Sequence, residues 1–165
     1  MYQRIKYQSG AVLVISLIML LLLTLIGITG TLTSSLEERM AGNMRDESLA
    51  FQAAESALAA AEATLAPPTP LPTFADDGTG GFYSQASTIP TTSALMTDTF
   101  WTGQPVHTSS VTGLGVATPS YIIQNLGPVP CLTPPCPAIP IYRITVRATG
   151  QSASTVVILQ SVHQP

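Results

Sequence analysis

The chain has 165 residues, 45% of them apolar and only 9% charged, with a formal net charge of -3. A typical domain carries about a quarter charged residues, so a charged disordered tail is excluded. Six Lys and Arg in the whole chain argue against a dedicated nucleic-acid binder, which needs them clustered.

Residues 1–10 read MYQRIKYQSG, short and polar, with Arg4 and Lys6. From Ala11 the chain reads AVLVISLIMLLLLTLIGITG, and no charge occurs between Lys6 and Glu37. About 20 apolar residues rising 1.5 Å each cross a hydrocarbon core of about 30 Å. The preceding positive charges keep the leader cytoplasmic and export the rest. Three readings compete. A removable signal peptide needs a shorter apolar region and a small-x-small site, for which bulky Ile28 is a poor fit. An ordinary signal anchor satisfies the span length. A prepilin-type leader, cut after Gly10, leaves Ala11 heading an intact apolar helix.

Thr24, Gly27, Thr29, Gly30, Thr31, Thr33, Ser34 and Ser35 form a soft zone, with a bend or partial melting expected near Gly27 to Gly30. Ser35 to Leu65 then resumes in Ala, Leu, Glu and Met, all strong helix formers. Met44, Phe51, Leu58 and Leu65 recur every seven residues, with Ala54 and Ala61 between them. That stripe predicts packing onto a domain core. A continuous helix over 11–65 would be roughly 80 Å long. Glu37, Glu38, Arg39, Arg45, Asp46 and Glu47 are the densest charges of the chain. Glu38 is spaced to meet Arg45 two turns on, and a solvated helix face is the plainer reading.

The run from Leu36 to Asp46, LEERMAGNMRD, and the run from Leu49 to Leu58, LAFQAAESAL, resemble the N-terminal region of PilX-type minor pilins of type IV pili. The leader ending at Gly10 and the unbroken apolar helix match as well. Most type IV pilins have Phe first and Glu fifth after the cut; here those positions hold Ala11 and Ile15. The resemblance implies cleavage after Gly10, methylation of Ala11 and a polymerisation helix that includes Ile15, Gly27, Gly30 and the seven-residue series. It implies as partners other minor pilins, the major pilin, the inner-membrane assembly platform and a tip adhesin. The inner membrane would hold the chain before assembly.

Pro67 and Pro68 end the helix. A Pro/Thr/Ser/Gly-rich linker is expected over 66–118. Asp76-Asp77-Gly-Thr-Gly-Gly admits a cation-binding turn but fits a plain loop better. Leu95, Phe100 and Trp101 are expected to pack onto the helix stripe. Tyr121 to Asn125 reads as a short strand. Residues 141–149 alternate, with Tyr142, Ile144, Val146 and Ala148 on one face and Arg143, Thr145 and Arg147 on the other. Gly150 begins a turn, and 154–162 returns as a second strand, so the β region over 119–165 closes with a hairpin. A sheet must bury an apolar face, and the amphipathic helix end is the partner available. The expected fold is α+β and type IV pilin-like: a leader over 1–10, a long helix over 11–65 that spans the membrane over 11–32, and a small antiparallel β-sheet packed on its distal half.

No nucleophile, phosphate loop or metal-ligand motif emerges, so no enzyme activity and no cofactor are expected. The expected function is that of a minor pilin that primes or caps a type IV pilus and supports adhesion or motility. A type II secretion pseudopilin and a signal-anchored periplasmic binding module are the alternatives. Cys131 and Cys136 bracket Leu-Thr-Pro-Pro on the exported side, where disulfides persist. A small-loop disulfide is favoured there over free thiols. Both cysteines should then resist alkylation in the periplasmic protein until a reductant is added; complete labelling without reductant would reject the bridge.

Overall fold

Ala, Leu, Met and Glu dominate the chain up to its first proline, and in the computed structural model those residues form one helix, α1, Ser9–Leu65. The structure describes residues 9–67, 70–88, 90–110, 114–128 and 139–165. By contacts the chain divides into two units, Met1–Met44 and Arg45–Pro165. The described part of the first unit is helix alone.

The second unit joins the last turns of α1 to a sheet. After α1 come a 3-10 turn (Thr79–Gly81), β1 (Phe82–Tyr83), α2 (Thr92–Leu95), α3 (Asp98–Gly103), β2 (His107–Thr108), β3 (Ser120–Pro128), β4 (Pro140–Thr149) and β5 (Val156–His163). The sheet runs in the order β1-β3-β4-β5, and β2 also pairs with β3. The β3–β4 and β4–β5 pairs are antiparallel, so the closing hairpin lies where the alternating residues place it. The sheet as a whole is mixed, which corrects the antiparallel expectation. β1 runs parallel to β3, with Phe82 opposite Ile123. A parallel pair needs a crossover of a dozen residues or more, and the chain supplies it through α2, α3 and β2. A bulge interrupts β3 between Asn125 and Gly127. Gly127 takes φ 85° there, a conformation glycine adopts freely, and its N–H donates to Asn125 Oδ1 at 2.8 Å.

The α1 face on the sheet follows the expected stripe only in part: Ala54, Ala61, Leu65 and Leu58 belong to it, and Met44 and Phe51 do not. Met44 is 69% exposed and Phe51 47%, while Leu58 is half-buried and Leu65 is 1% exposed. The buried face is Ala50, Ala53, Ala54, Ala57, Ala61 and Leu65. Those positions follow the i, i+3, i+4, i+7 rule of a helix laid against a core. A strict seven-residue repeat drifts around a straight helix with 3.6 residues per turn, so Met44 and Phe51 rotate off the face that Leu65 shares. Ala53, Ala54, Ala57 and Ala61 pack against Tyr121 and Ile123 of β3 and Tyr142, Ile144, Val146 and Ala148 of β4.

Ile122 points to the opposite face, because neighbours on a strand alternate. It packs with Tyr83, Leu95, Phe100 and Trp101. Leu95, Phe100 and Trp101 therefore build a second core instead of meeting the helix stripe. The Trp101 indole N–H donates to the Leu95 carbonyl at 2.8 Å, which satisfies the polar atom that its burial would otherwise strand. Arg147 ties α3 to this side of the sheet through Asp98 at 2.5 Å. The result is three layers within the second unit: helix end, sheet, and short helices.

Ala57→Leu should destabilise the second unit by about 1–3 kcal/mol, the usual cost of inserting methylenes into a packed core. Phe51→Ala should stay within about 0.5 kcal/mol, as exposed substitutions do. Guanidinium unfolding of the detergent-solubilised chain measures both, and equal losses would show that the alanine face is not the packed one.

Candidate functional site

The first candidate is the exposed apolar helix of the first unit. Its described residues run from Ser9 to Met44. Every large apolar side chain from Val12 to Leu36 is exposed within the chain. The helix is long and apolar enough to cross a membrane. Hydroxyls on this segment find acceptors inside it: Ser16 donates to the Leu13 carbonyl, Thr24 to Leu21, Thr29 to Leu25, Thr31 to Ile28 and Thr33 to Thr29, all within 3.0 Å. An apolar solvent offers no other partner for such groups. The backbone stays helical through Gly27 and Gly30, so the partial melting expected there does not occur. An added Cβ at either glycine would meet nothing within 4 Å.

Gly10 and Ala11 lie in the first turn of α1. Ile15 is 58% exposed on the next turn. It places an apolar side chain, and no carboxylate, one turn into the helix. Cys131 and Cys136 lie outside the described residues.

The second candidate was not legible in the sequence as a site. Asp46, partly exposed on α1, reaches the turn between β4 and β5. Its Oδ1 accepts the Gln151 N–H at 2.5 Å and its Oδ2 the Ser152 N–H at 3.1 Å. The Thr155 hydroxyl, then these two N–H groups, hold the Asp46 carboxyl below its ordinary value, since hydrogen bonds to the charged form favour it. Gly150 makes the approach possible: a Cβ there would overlap the Asp46 carboxylate. Asp46 thus leaves the expected solvated charge cluster and fixes the hairpin to the helix. Among the described residues no ion pair joins Glu38 to Arg45; the pair present is Arg147–Asp98. Nothing local marks Asp46 out, because its partners are 105 and 106 residues away.

Asp77 is a plain loop residue. Its carboxylate accepts the Thr79 hydroxyl at 2.8 Å and the Thr79 N–H at 3.0 Å, and these bonds lower its pKa. The loop satisfies its own acid, as Asx turns do.

Two family models match the chain. The model described as PilX N-terminal covers residues 9–59. The model described as type IV pilus assembly protein PilX C-term covers residues 52–165. No curated protein and no solved structure matches.

A carboxyl with a lowered folded-state pKa stabilises the fold above its unfolded value of about 4, and that contribution is lost as pH falls through the folded value. Amides of Gln151 and Ser152 should therefore lose hydrogen-exchange protection, relative to intrinsic rates, as pH drops below about 4. In Asp46→Asn the same amides should be weakly protected at every pH. A pH-independent wild type would remove the carboxylate from its anchoring role.

Proposed function

Because the chain belongs to the PilX family of type IV pilus assembly proteins, we propose that it is a minor pilin that sits at or near the pilus tip and primes assembly. A prepilin peptidase cuts between Gly10 and Ala11 and methylates Ala11. The helix that follows holds the subunit in the inner membrane, with the C-terminal unit periplasmic, and then polymerises with neighbouring helices. Its partners are other minor pilins, the major pilin, the inner-membrane assembly platform and a tip adhesin, and through them it serves adhesion and motility. The exposed apolar run from Val12 to Leu36 supports the polymerising role, because no described residue of its own unit covers it.

Ile15 carries the tip assignment. In most type IV pilins a Glu at the fifth mature position pairs with the N-terminal ammonium of the subunit assembled before it. A carboxylate at a helix centre in lipid costs about 2.5–3.5 kcal/mol on insertion scales, so that pairing offsets a real penalty. Ile15 avoids the penalty and cannot supply the pairing. A subunit joining behind another would leave that neighbour's buried ammonium unpaired. A subunit with nothing ahead of it loses nothing, and the ammonium of Ala11 still meets the Glu of the next subunit.

Deleting the protein should sharply reduce surface pili while the major pilin accumulates in the membrane. Ile15→Glu should move labelled protein from the fibre end into the shaft, and Gly10→Val should leave a slower-migrating precursor. Immunogold on purified wild-type fibres is the direct measurement; label spread evenly along them would overturn the tip assignment.

A further inference from the structure

The two edges of the sheet are unlike. On one side β1 and β2 are two residues each, and very short edge strands offer little to pair with. On the other side β5 has eight residues, VVILQSVH. It holds no Lys, Arg, Asp, Glu, Pro or Gly, and its register with β4 is unbroken from Val156 to His163. Edge strands are ordinarily protected by charge, proline, bulges or brevity, and β5 has none of these. Among the described residues no other strand pairs with its outer edge.

The flanking charges say what fits there. Arg143 stands beside Val162 on the sheet face away from α1, and among the described residues it makes no ion pair. Val162, 63% exposed, leaves the path from Arg143 to the open edge uncovered. On the opposite face Glu62 of α1 accepts the Ser161 hydroxyl at 3.3 Å. The edge is thus positive on its outer face and negative on its inner one.

We propose that the open edge of β5 docks an extended segment of another protein, which adds a strand and carries a carboxylate on its outer face to meet Arg143. Backbone hydrogen bonds along the edge supply the affinity, and the side-chain faces supply the selection. Two strand spacings of about 4.8 Å put the incoming residue about 10 Å from Arg143 by Cα, a gap that an arginine and a glutamate close over Val162. Glu62 repels the same acid on the inner face, which fixes the way the segment faces. A second copy is a poor occupant, because its β5 has no acid to offer Arg143. The proposal goes beyond the assembly role and is tested without fibres.

The test uses the detergent-solubilised full chain and an eight-residue peptide of alternating threonine and valine with one glutamate among the valines. Hydrogen exchange is read strand by strand. The outward N–H groups of β5 should exchange about tenfold more slowly with saturating peptide. Replacing the glutamate by lysine, or Arg143→Gln in the protein, should weaken binding about two- to fivefold, the range of one cross-strand charge pair. No slowing in β5, or equal binding of the two peptides, would overturn the proposal. Protection of β5 that grows with protein concentration alone would assign the edge to a second copy and overturn it as well.

Discussion

The burial of one small-residue face of α1 against the sheet governs the second unit. Five alanines of the buried face remove side-chain bulk from one side of the helix. The large fully buried partners are on the strands: Tyr121, Ile123, Tyr142, Ile144 and Val146. Packing thus becomes asymmetric, with a smooth helix seated in a rough sheet. An alanine loses no side-chain rotamer freedom on burial and has the highest helix propensity, so the same residues that permit the contact also favour the helix. The Asp46 bonds to the hairpin turn add a polar tie beside this packing.

The second layer follows from the first. Once one sheet face is occupied by α1, the alternation of β3 forces Ile122 outward, and an apolar residue there needs cover. α2 and α3 provide it with Leu95, Phe100 and Trp101. These short helices are otherwise held by little: Thr91 caps α2 through the Ala94 N–H, and the Arg147–Asp98 pair joins α3 to the sheet. The crossover that carries them also turns β1 parallel to β3, so the mixed sheet and the second core are one event in the chain path.

Much of this was readable from residues. Helix-forming composition and the prolines after Leu65 marked the helix and its end, and strict alternation over 141–149 placed Tyr142, Ile144, Val146 and Ala148 on one face. The small-residue part of the helix face is less legible: seven-residue spacing marks Met44 and Phe51, which are exposed, while Ala50, Ala53 and Ala57 are buried beside Ala54 and Ala61. The partners of Trp101 were hidden for a related reason: an apolar aromatic declares that it is buried but not against which layer. Asp46 was hidden because its meaning lies in a turn distant along the chain. The apolar N-terminal run was the most legible element, since length and hydropathy alone define it.

The anchor at Asp46 grips main chain, not side chains. Any residue except proline presents an N–H at 151 and 152, so the identities of Gln151 and Ser152 are left unconstrained by the contact. Gly150 is the exception, because a Cβ there would displace the Asp46 carboxylate from its amides. The tip of this hairpin is therefore a place where the surface can diversify without loosening the fold, around one residue whose side chain would compete with the anchor.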